Sequence, residues 1–364
     1  MNTTLHQNYL LHALELARER RGFCAPNPAV GAVLVKNGKM IGQGNHFAPG
    51  HPHAEINAIK MAGSEAENAT LYVTLEPCCH YGRTPPCVDA IKAAKIKNVF
   101  FGFKDPNPLV AGKGQQILIE AGIPCEKIDL SAIDIFYRSY KYWFLHKLPW
   151  VTLKLAITLD GKIAHEDSAP AQISGEELQI FTHHLRLQSD AILSTINTII
   201  HDDPQLNVRL SDGVIAKNIY LLDSQLRLPL SSKIIHTAKN LTLFHTKDYD
   251  HENHAALCAA GVRCIQVLGS IDGVDIKSVI KQIGADGVHD LWVEAGSHCF
   301  NNLFYAKLID EIYFYIAPKT LGAQAKSVFF TPTHFTEHFN VIQWDVFGED
   351  VVCHLTNTFD RTKI

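Results

Sequence analysis

The 364-residue chain lacks several features that would place it in a class at once. No apolar run approaches the roughly 18 residues of a membrane-crossing helix, so no membrane segment is expected. Residues 1–22 carry no basic leader, and His12 and Glu15 interrupt their apolar positions, which argues against a secretory signal. Leu10, Leu14 and Ala17 instead repeat at helical spacing behind Thr3 or Thr4 as a cap. Positive charge is not in surplus. The 33 Lys and Arg stand against 37 Asp and Glu, a net charge of −4, so no broad basic face awaits a phosphate backbone and no nucleic-acid partner is expected. Low-complexity tracts and fixed-period repeats are absent, which excludes solenoids and linker-like segments. A strand–Gly-x-Gly-x-x-Gly–helix element is missing too: Gly112-Lys-Gly114 lacks the third glycine and its strand, so any dinucleotide binds by another route. Nine cysteines, an odd number without an export signal, point to reduced thiols and a cytoplasmic protein. Six of them, Cys24, Cys125, Cys258, Cys264, Cys299 and Cys353, stand singly, as small buried apolar side chains do.

What is present is a double alternation of strands and helices. The length alone predicts two domains, and Pro149 in His146-Lys-Leu-Pro-Trp150 marks a joint, giving domains over 1–146 and 150–364. In the first, strands are expected at 29–35, 40–44, 70–75 and 98–103, with an Asn37-Gly38 hairpin turn. Helices are expected at 53–62, 86–95, 114–121 and 131–145, and the order is that of a three-layer α/β unit. In the second, strands are expected at 151–157, 191–193, 218–222, 241–244, 264–267, 291–294 and 311–316, with a closing hairpin of 341–347 and 351–356. Ser174-Gly-Glu-Glu177 has the form of a capping box ahead of a helix running to about residue 189.

Three cysteines and a histidine crowd into Glu76-Pro-Cys-Cys-His-Tyr-Gly-Arg-Thr-Pro-Pro-Cys87. A catalytic zinc takes three protein ligands and keeps a position open. His53-Ala-Glu55, at the start of a helix, adds a ligand and an acid/base residue. His-x-Glu followed by Pro-Cys and a further cysteine is the signature of zinc-dependent base deaminases, whose Glu carries protons and is not a ligand. Adjacent cysteines point about 100° apart in a helical turn, so Cys78 and Cys79 do not both chelate one ion. Pro77 before Cys78 selects Cys78, and Cys87 begins the next helix, where thiolates are favoured. The reading is His53, Cys78 and Cys87 as Zn2+ ligands with Glu55 catalytic; a closed structural site using His80 or Cys79 as fourth ligand is the alternative.

Asn27-Pro-Ala-Val-Gly31, Pro52-His-Ala-Glu55, Thr74-Leu-Glu-Pro-Cys78, His80-Tyr-Gly-Arg-Thr-Pro-Pro-Cys87 and Asp105-Pro-Asn-Pro108 together closely resemble the bifunctional deaminase/reductase family of riboflavin biosynthesis. The resemblance implies a cytidine-deaminase-like first domain that hydrolytically deaminates a pyrimidine ribotide, with Asn27, His80 and Arg83 contacting ring or ribose phosphate. In the second half, Lys154-Leu-Ala-Ile-Thr-Leu-Asp-Gly-Lys162, Thr198-Ile-Ile-His-Asp-Asp-Pro-Gln-Leu-Asn-Val-Arg209, Asp223-Ser224, Glu294-Ala-Gly296 and Tyr315-Ile-Ala-Pro-Lys319 resemble that family's reductase domain, which is similar to dihydrofolate reductase. An α/β fold follows, with NADPH passing hydride to the ribosyl group. The resemblance implies that Thr198, Asp202, Ser224, Gly296, Ser297, His298, Asn301 and Asn302 hold NADPH. It implies further that Lys154, Arg186, Leu206, Arg209 and Glu294 meet substrate, the arginines suiting its phosphate. A homodimer or higher homo-oligomer is the expected assembly.

The chain departs from that pattern in two places. Ala169-Pro-Ala-Gln-Ile-Ser174 lacks the family's Ser and Trp, and Ser297-His298 replaces its Pro-Thr. A deaminase whose second domain has lost hydride transfer is therefore the alternative. His251-Glu-Asn-His254, with Asp248 and Asp250 before it, has the look of a metal cluster, but its short polar context reads as a solvated loop.

Overall fold

The computed structural model describes residues 3–82, 85–165, 173–247, 249–271, 273–329 and 337–358. The sequence readings on Arg83, on 169–172 and on Asp248 lie outside them. The chain divides into two compact units, Met1–Lys147 and Leu148–Ile364.

In the first unit α1 (Thr3–Arg18) precedes the hairpin of β1 (Gly31–Lys36) and β2 (Lys39–Asn45). Asn37 and Gly38 both take positive φ, 51° and 78°, which lets the tight turn follow the strand twist. Then come α2 (Ala54–Ala62), β3 (Thr70–Leu75), α3 (Cys87–Ala93), β4 (Asn98–Phe103), α4 (Lys113–Glu120), β5 (Cys125–Lys127) and α5 (Ser131–His146). The sheet order is β2-β1-β3-β4-β5, with β1 antiparallel to both neighbours and β3, β4 and β5 parallel. Only β5 has no counterpart in the sequence pattern.

Missing side chains bring the helices close. A Cβ on Gly31 would lie 2.0 Å from the Ala13 carbonyl of α1, and one on Gly44 would lie 2.6 Å from the Ala54 carbonyl of α2. Gly31 pairs with Asn45, so Gly31 and Gly44 point to opposite faces of the sheet. Hence α1 covers one face and α2 the other. This is why β1, Gly-Ala-Val-Leu-Val-Lys, reads as a continuous apolar run.

The second unit is built on a nine-stranded sheet. Its strands are β6 (Trp150–Thr158), β7 (Ala191–Thr195), β8 (Asn218–Leu222), β9 (Asn240–His245), β10 (Arg263–Gln266), β11 (Asp290–Glu294), β12 (Glu311–Ala317), β13 (Phe339–Phe347) and β14 (Asp350–Asn357). The order is β10-β9-β8-β7-β11-β6-β12-β14-β13, parallel from β10 to β12 and closed by the antiparallel hairpin of β13 and β14. Alternate residues feed two cores: Ala191 and Leu193 pack with Val151 and Val293, while Ile192 packs with Leu221, Leu243 and Trp292. The helices used below are α6 (Glu176–Gln188), α7 (Ile196–Asp202), α8 (His251–Ala259), α9 (Ile276–Ala285) and α10 (Ser297–Tyr305).

Two local expectations fail here. No capping box forms before α6. Its N-cap is Gly175, without a side-chain cap, and the Gly175 N–H donates to Asp350 Oδ2 at 2.7 Å. The stretch read as a solvated loop is helix α8, because Asp250 caps it by accepting from the amides of Glu252 and Asn253 at 2.9 and 3.0 Å. No helix among the described residues is long and apolar enough to cross a membrane.

Candidate active sites

Strand β3 ends at Leu75 and delivers Glu76, Pro77 and Cys78 beyond the sheet edge, while α2 begins at the same end of the unit with His53 as its N-cap. His53 Nδ1 lies 3.2 Å from Cys87 Sγ and 3.5 Å from Cys78 Sγ, and the three donor atoms lie within 4.8 Å of one another. Ligands at about 2.0–2.3 Å from a tetrahedral zinc sit about 3.5–3.8 Å apart, so these imidazole and thiol donors fit that ion. Cys78 also accepts from the Cys87 amide at 3.3 Å, a thiol held by the first turn of α3. Hydrogen bonds from Cys87 and then His53 outweigh burial and hold the Cys78 thiol down at about 4. Cys79 turns away, its Sγ donating to the Leu109 carbonyl at 3.5 Å, which removes it as a ligand.

Glu55 follows in the first turn of α2 and is 4 % exposed. Burial pushes its carboxyl up to about 7, against the pull of His53. A carboxyl poised there and hydrogen-bonded to Cys87 suits proton transfer beside the donors. Around them is a pocket of about 470 Å³ whose lining includes Asn27, His46, His80, Asp105 and Trp143. Asn27 Nδ2 is 3.1 Å from His46 Nε2, so one helps set the other. The buried Nδ1 of His80 has no hydrogen-bond partner among the described residues, as a ligand-facing polar atom would.

Glu76 and Asp105 stand within motifs the sequence offers but carry no role there, and His46 and the α5 aromatics belong to none of those motifs. Glu76 is buried and accepts from the amides of Gly112 and Gln115 at 2.9 and 3.2 Å, fixing the pocket's rim to α4. A carboxylate directly before Pro77-Cys78 was the available signal.

The second unit holds a cleft of about 1370 Å³ outside the C-terminal ends of β6, β7 and β11. Strand order reverses there, with later β11 inserted between β6 and β7, and a parallel sheet leaves a crevice at such a point. Arg186 from α6 binds Glu294 with both arms, Nε–Oε1 2.5 Å and Nη2–Oε2 2.9 Å, and donates Nη1 to the Asn207 carbonyl at 2.9 Å. Trp292 Nε1 donates to the same carboxylate at 2.7 Å. Burial opposes ionisation of Glu294, but the Arg186 guanidinium, with Lys154 and Trp292, holds its carboxyl down at about 2. Burial in turn lowers the Lys154 ammonium, which stands 5.1 Å from the Tyr315 ring centroid.

Thr198, Asp202, Ser224, Gly296, Ser297, His298 and Asn302 line the cleft, as do Lys154, Arg186, Leu206 and Glu294. The first amides of α10, behind an N-cap Gly296 without side-chain cap, open on it and suit a phosphate. Two expected residues do not reach the lining. Asn301 spends its amide on the Ser297 and Val328 carbonyls at 2.7 and 2.9 Å, inside the unit. Arg209 donates to Asn207 Oδ1 at 2.6 Å and to His183 through its backbone amide. Arg227 and Lys326 do line the cleft and were not foreseen; neither belongs to a motif.

Residues 3–103 match the zinc-binding region of cytidine and deoxycytidylate deaminases, and residues 149–353 match the RibD C-terminal domain. The riboflavin biosynthesis protein RibD of Aquifex aeolicus is 40% identical over 322 residues, covering 87% of this chain and 88% of that one. The Escherichia coli protein of the same name is 35% identical over 88% of this chain and 89% of its own. Among solved structures, Acinetobacter baumannii RibD superposes with TM-score 0.88 at 33% identity, over 98% of this chain and 100% of that one. The Thermotoga maritima diaminohydroxyphosphoribosylaminopyrimidine deaminase/5-amino-6-(5-phosphoribosylamino)uracil reductase superposes with TM-score 0.85 at 27% identity, over the same shares. With a third or more of positions shared along nearly the whole length of both partners, the chain belongs to the RibD family of bifunctional riboflavin biosynthesis enzymes, a deaminase joined to a reductase.

Proposed function

We propose that the chain performs two consecutive steps: hydrolytic deamination of 2,5-diamino-6-(5-phosphoribosylamino)pyrimidin-4-one, then NADPH-dependent reduction of the product's ribosyl group to ribityl. The observation that carries the first step is the convergence of His53, Cys78 and Cys87 beside a buried, uncharged-leaning Glu55. A zinc ion in that triad supplies the Lewis acidity that activates water. Glu55 takes the proton the attacking water gives up and returns it to the departing exocyclic amino group, so that nitrogen leaves as ammonia and the ring carbon gains a carbonyl. Asn27 and His80 orient the ring from the pocket wall.

For the second step the cleft exceeds the roughly 300–1,000 Å³ of a single-ligand pocket, which supports joint occupancy by dinucleotide and ribotide. NADPH supplies the hydride. The α10 amides, Thr198, Asp202, Ser224 and Asn302 bind it, while Lys154, Arg186, Leu206 and Glu294 shape the substrate side. The expected partner beyond these small molecules is a second copy of the chain, and the expected compartment is the cytoplasm.

Incubation with the diaminopyrimidine ribotide tests both steps by product mass. A gain of about one mass unit reports exchange of an imino group for oxygen, and about two more, only with NADPH, report reduction. Glu55→Gln should cost about 10²–10⁴-fold in deamination while zinc content holds. Full activity in that variant removes the mechanism, and unchanged NADPH with authentic deaminated intermediate removes the second step.

A further inference from the structure

Helix α8 and strand β10 form the outer corner of the second unit, and they bring together a second His/Cys/Cys set. His254 and Cys258 are four residues apart on α8 and so face the same side, with Nε2 3.8 Å from Sγ. The chain then turns tightly. Gly261 takes φ 83°, its amide donates to the Cys258 carbonyl at 3.0 Å, and Val262 donates to Leu257 at 3.0 Å. That turn returns Cys264 on β10 beneath the helix. His254 N, Cys258 Sγ and Cys264 Sγ all lie within 4.8 Å of one another, near enough to share one ion.

We infer that His254, Cys258 and Cys264 form a second binding site for a thiophilic divalent cation of the zinc class, which clips α8 to the edge strand β10. Two thiols and an imidazole are the donor set such ions select over magnesium or calcium. The 3.8 Å separation matches the donor spacing about a tetrahedral ion, so loading requires only small side-chain rotations. The rings of His245 and Tyr249, with centroids 5.7 and 5.2 Å from that of His254, wall one side. Cys258 is exposed and the other two are partly so, which gives the ion a direct path from solution. The site lies within the second unit and is independent of the deaminase assignment. Its effect is mechanical: among the described residues β10 is the last strand of the sheet, paired with β9 alone, and a metal cross-link ties it to the helix that precedes it.

The test is a metal count on the full chain, kept reduced, loaded with Zn2+ and stripped of loose ion on a chelating resin. Two equivalents are expected in the parent, one in the Cys258→Ser/Cys264→Ser variant, and one in Cys78→Ser. Titration with Cd2+ should show a thiolate charge-transfer band in Cys78→Ser that disappears when Cys258 and Cys264 are also replaced. Amide exchange in α8 and β10 should slow on loading in the parent and stay unchanged in the double variant. A single equivalent in the parent that survives Cys258→Ser/Cys264→Ser overturns the inference. Circular dichroism of the double variant, expected to match the parent, separates loss of the site from loss of the fold.

Discussion

The pocket of the first unit takes its donors and its carboxylate from two short stretches, 53–55 and 78–87, whereas the cleft of the second is assembled from the ends of β6, β7 and β11 and the starts of α7 and α10. The contrast follows from what each has to hold. An ion needs three donors a few ångströms apart, so one helix start and one loop suffice, and their spacing shows in the chain. A dinucleotide-sized ligand touches a wide surface, and here that surface exists because β11 inserts between β6 and β7. The ionic centre of the cleft, Arg186 with Glu294, joins residues 108 positions apart.

The largest effect that would sharpen this contrast is expected at that pair. Arg186→Met strands a buried carboxylate, and removing one partner of a buried ion pair costs about 3–5 kcal/mol. The side chains are 10 % and 14 % exposed, so water screens them little. Glu294 is held at about 2 in the folded chain, below its ordinary 4.5. A depressed carboxyl stabilises the fold above pH 4.5, and that contribution fades as pH falls towards 2. In the parent, then, this term should persist to mildly acid pH. In Arg186→Met, Glu294 loses its main counter-charge and burial pushes its carboxyl up, so the deficit should be largest at neutral pH and shrink as acid protonates Glu294. Amide exchange resolved by unit reads this directly: second-unit strands should exchange faster, and first-unit strands should not change. Equal loosening of both units would contradict the independence on which the comparison rests.

How much of each site the sequence disclosed follows the same division. His53, Glu55, Cys78 and Cys87 could be chosen residue by residue, and Cys79 could be set aside, because local backbone geometry decides which side chains converge. In the second unit the strands were legible from their apolar runs, buried on both faces, but the lining was known mainly through resemblance. Asn301 spends its amide on two carbonyls, and one arm of Arg209 is taken by Asn207, placements that only tertiary contacts decide. Arg227 and Lys326 reach the cleft without any sequence pattern. The stretch 251–254 was misread because its polarity suggested a loop, while the Asp250 cap and buried Leu257 make it a helix. Cys258 and Cys264, expected among buried thiols, are exposed and partly exposed.

A smaller effect probes the first unit. Gly44→Ala would place a Cβ 2.6 Å from the Ala54 carbonyl and 2.6 Å from Asn57 Cβ, against the helix that carries both His53 and Glu55. Backbone cannot yield as a flexible side chain does, so α2 must lift, at about 1–3 kcal/mol. Deamination should fall and zinc be held less firmly, while NADPH-dependent reduction of added deaminated intermediate is unchanged. A matching loss in both activities would mean that the two sites do not fail separately.

The smallest expected effect separates a local signal from a distant one in the element that carries Arg186. Ser174 looks like the cap of α6, yet the N-cap position falls on Gly175, whose own N–H donates to Asp350 at the start of β14. Ser174→Ala should therefore change stability by less than about 0.5 kcal/mol. Asp350→Ala, acting on the same helix start from 175 residues away, should cost about 0.5–2 kcal/mol, the worth of a helix cap. Asp350→Ala should also raise the KM for NADPH-dependent reduction, because α6 aims Arg186 at Glu294. If Ser174→Ala proved the costlier change, the local capping box would be real, and the second site would owe its geometry to neighbouring sequence as the first does.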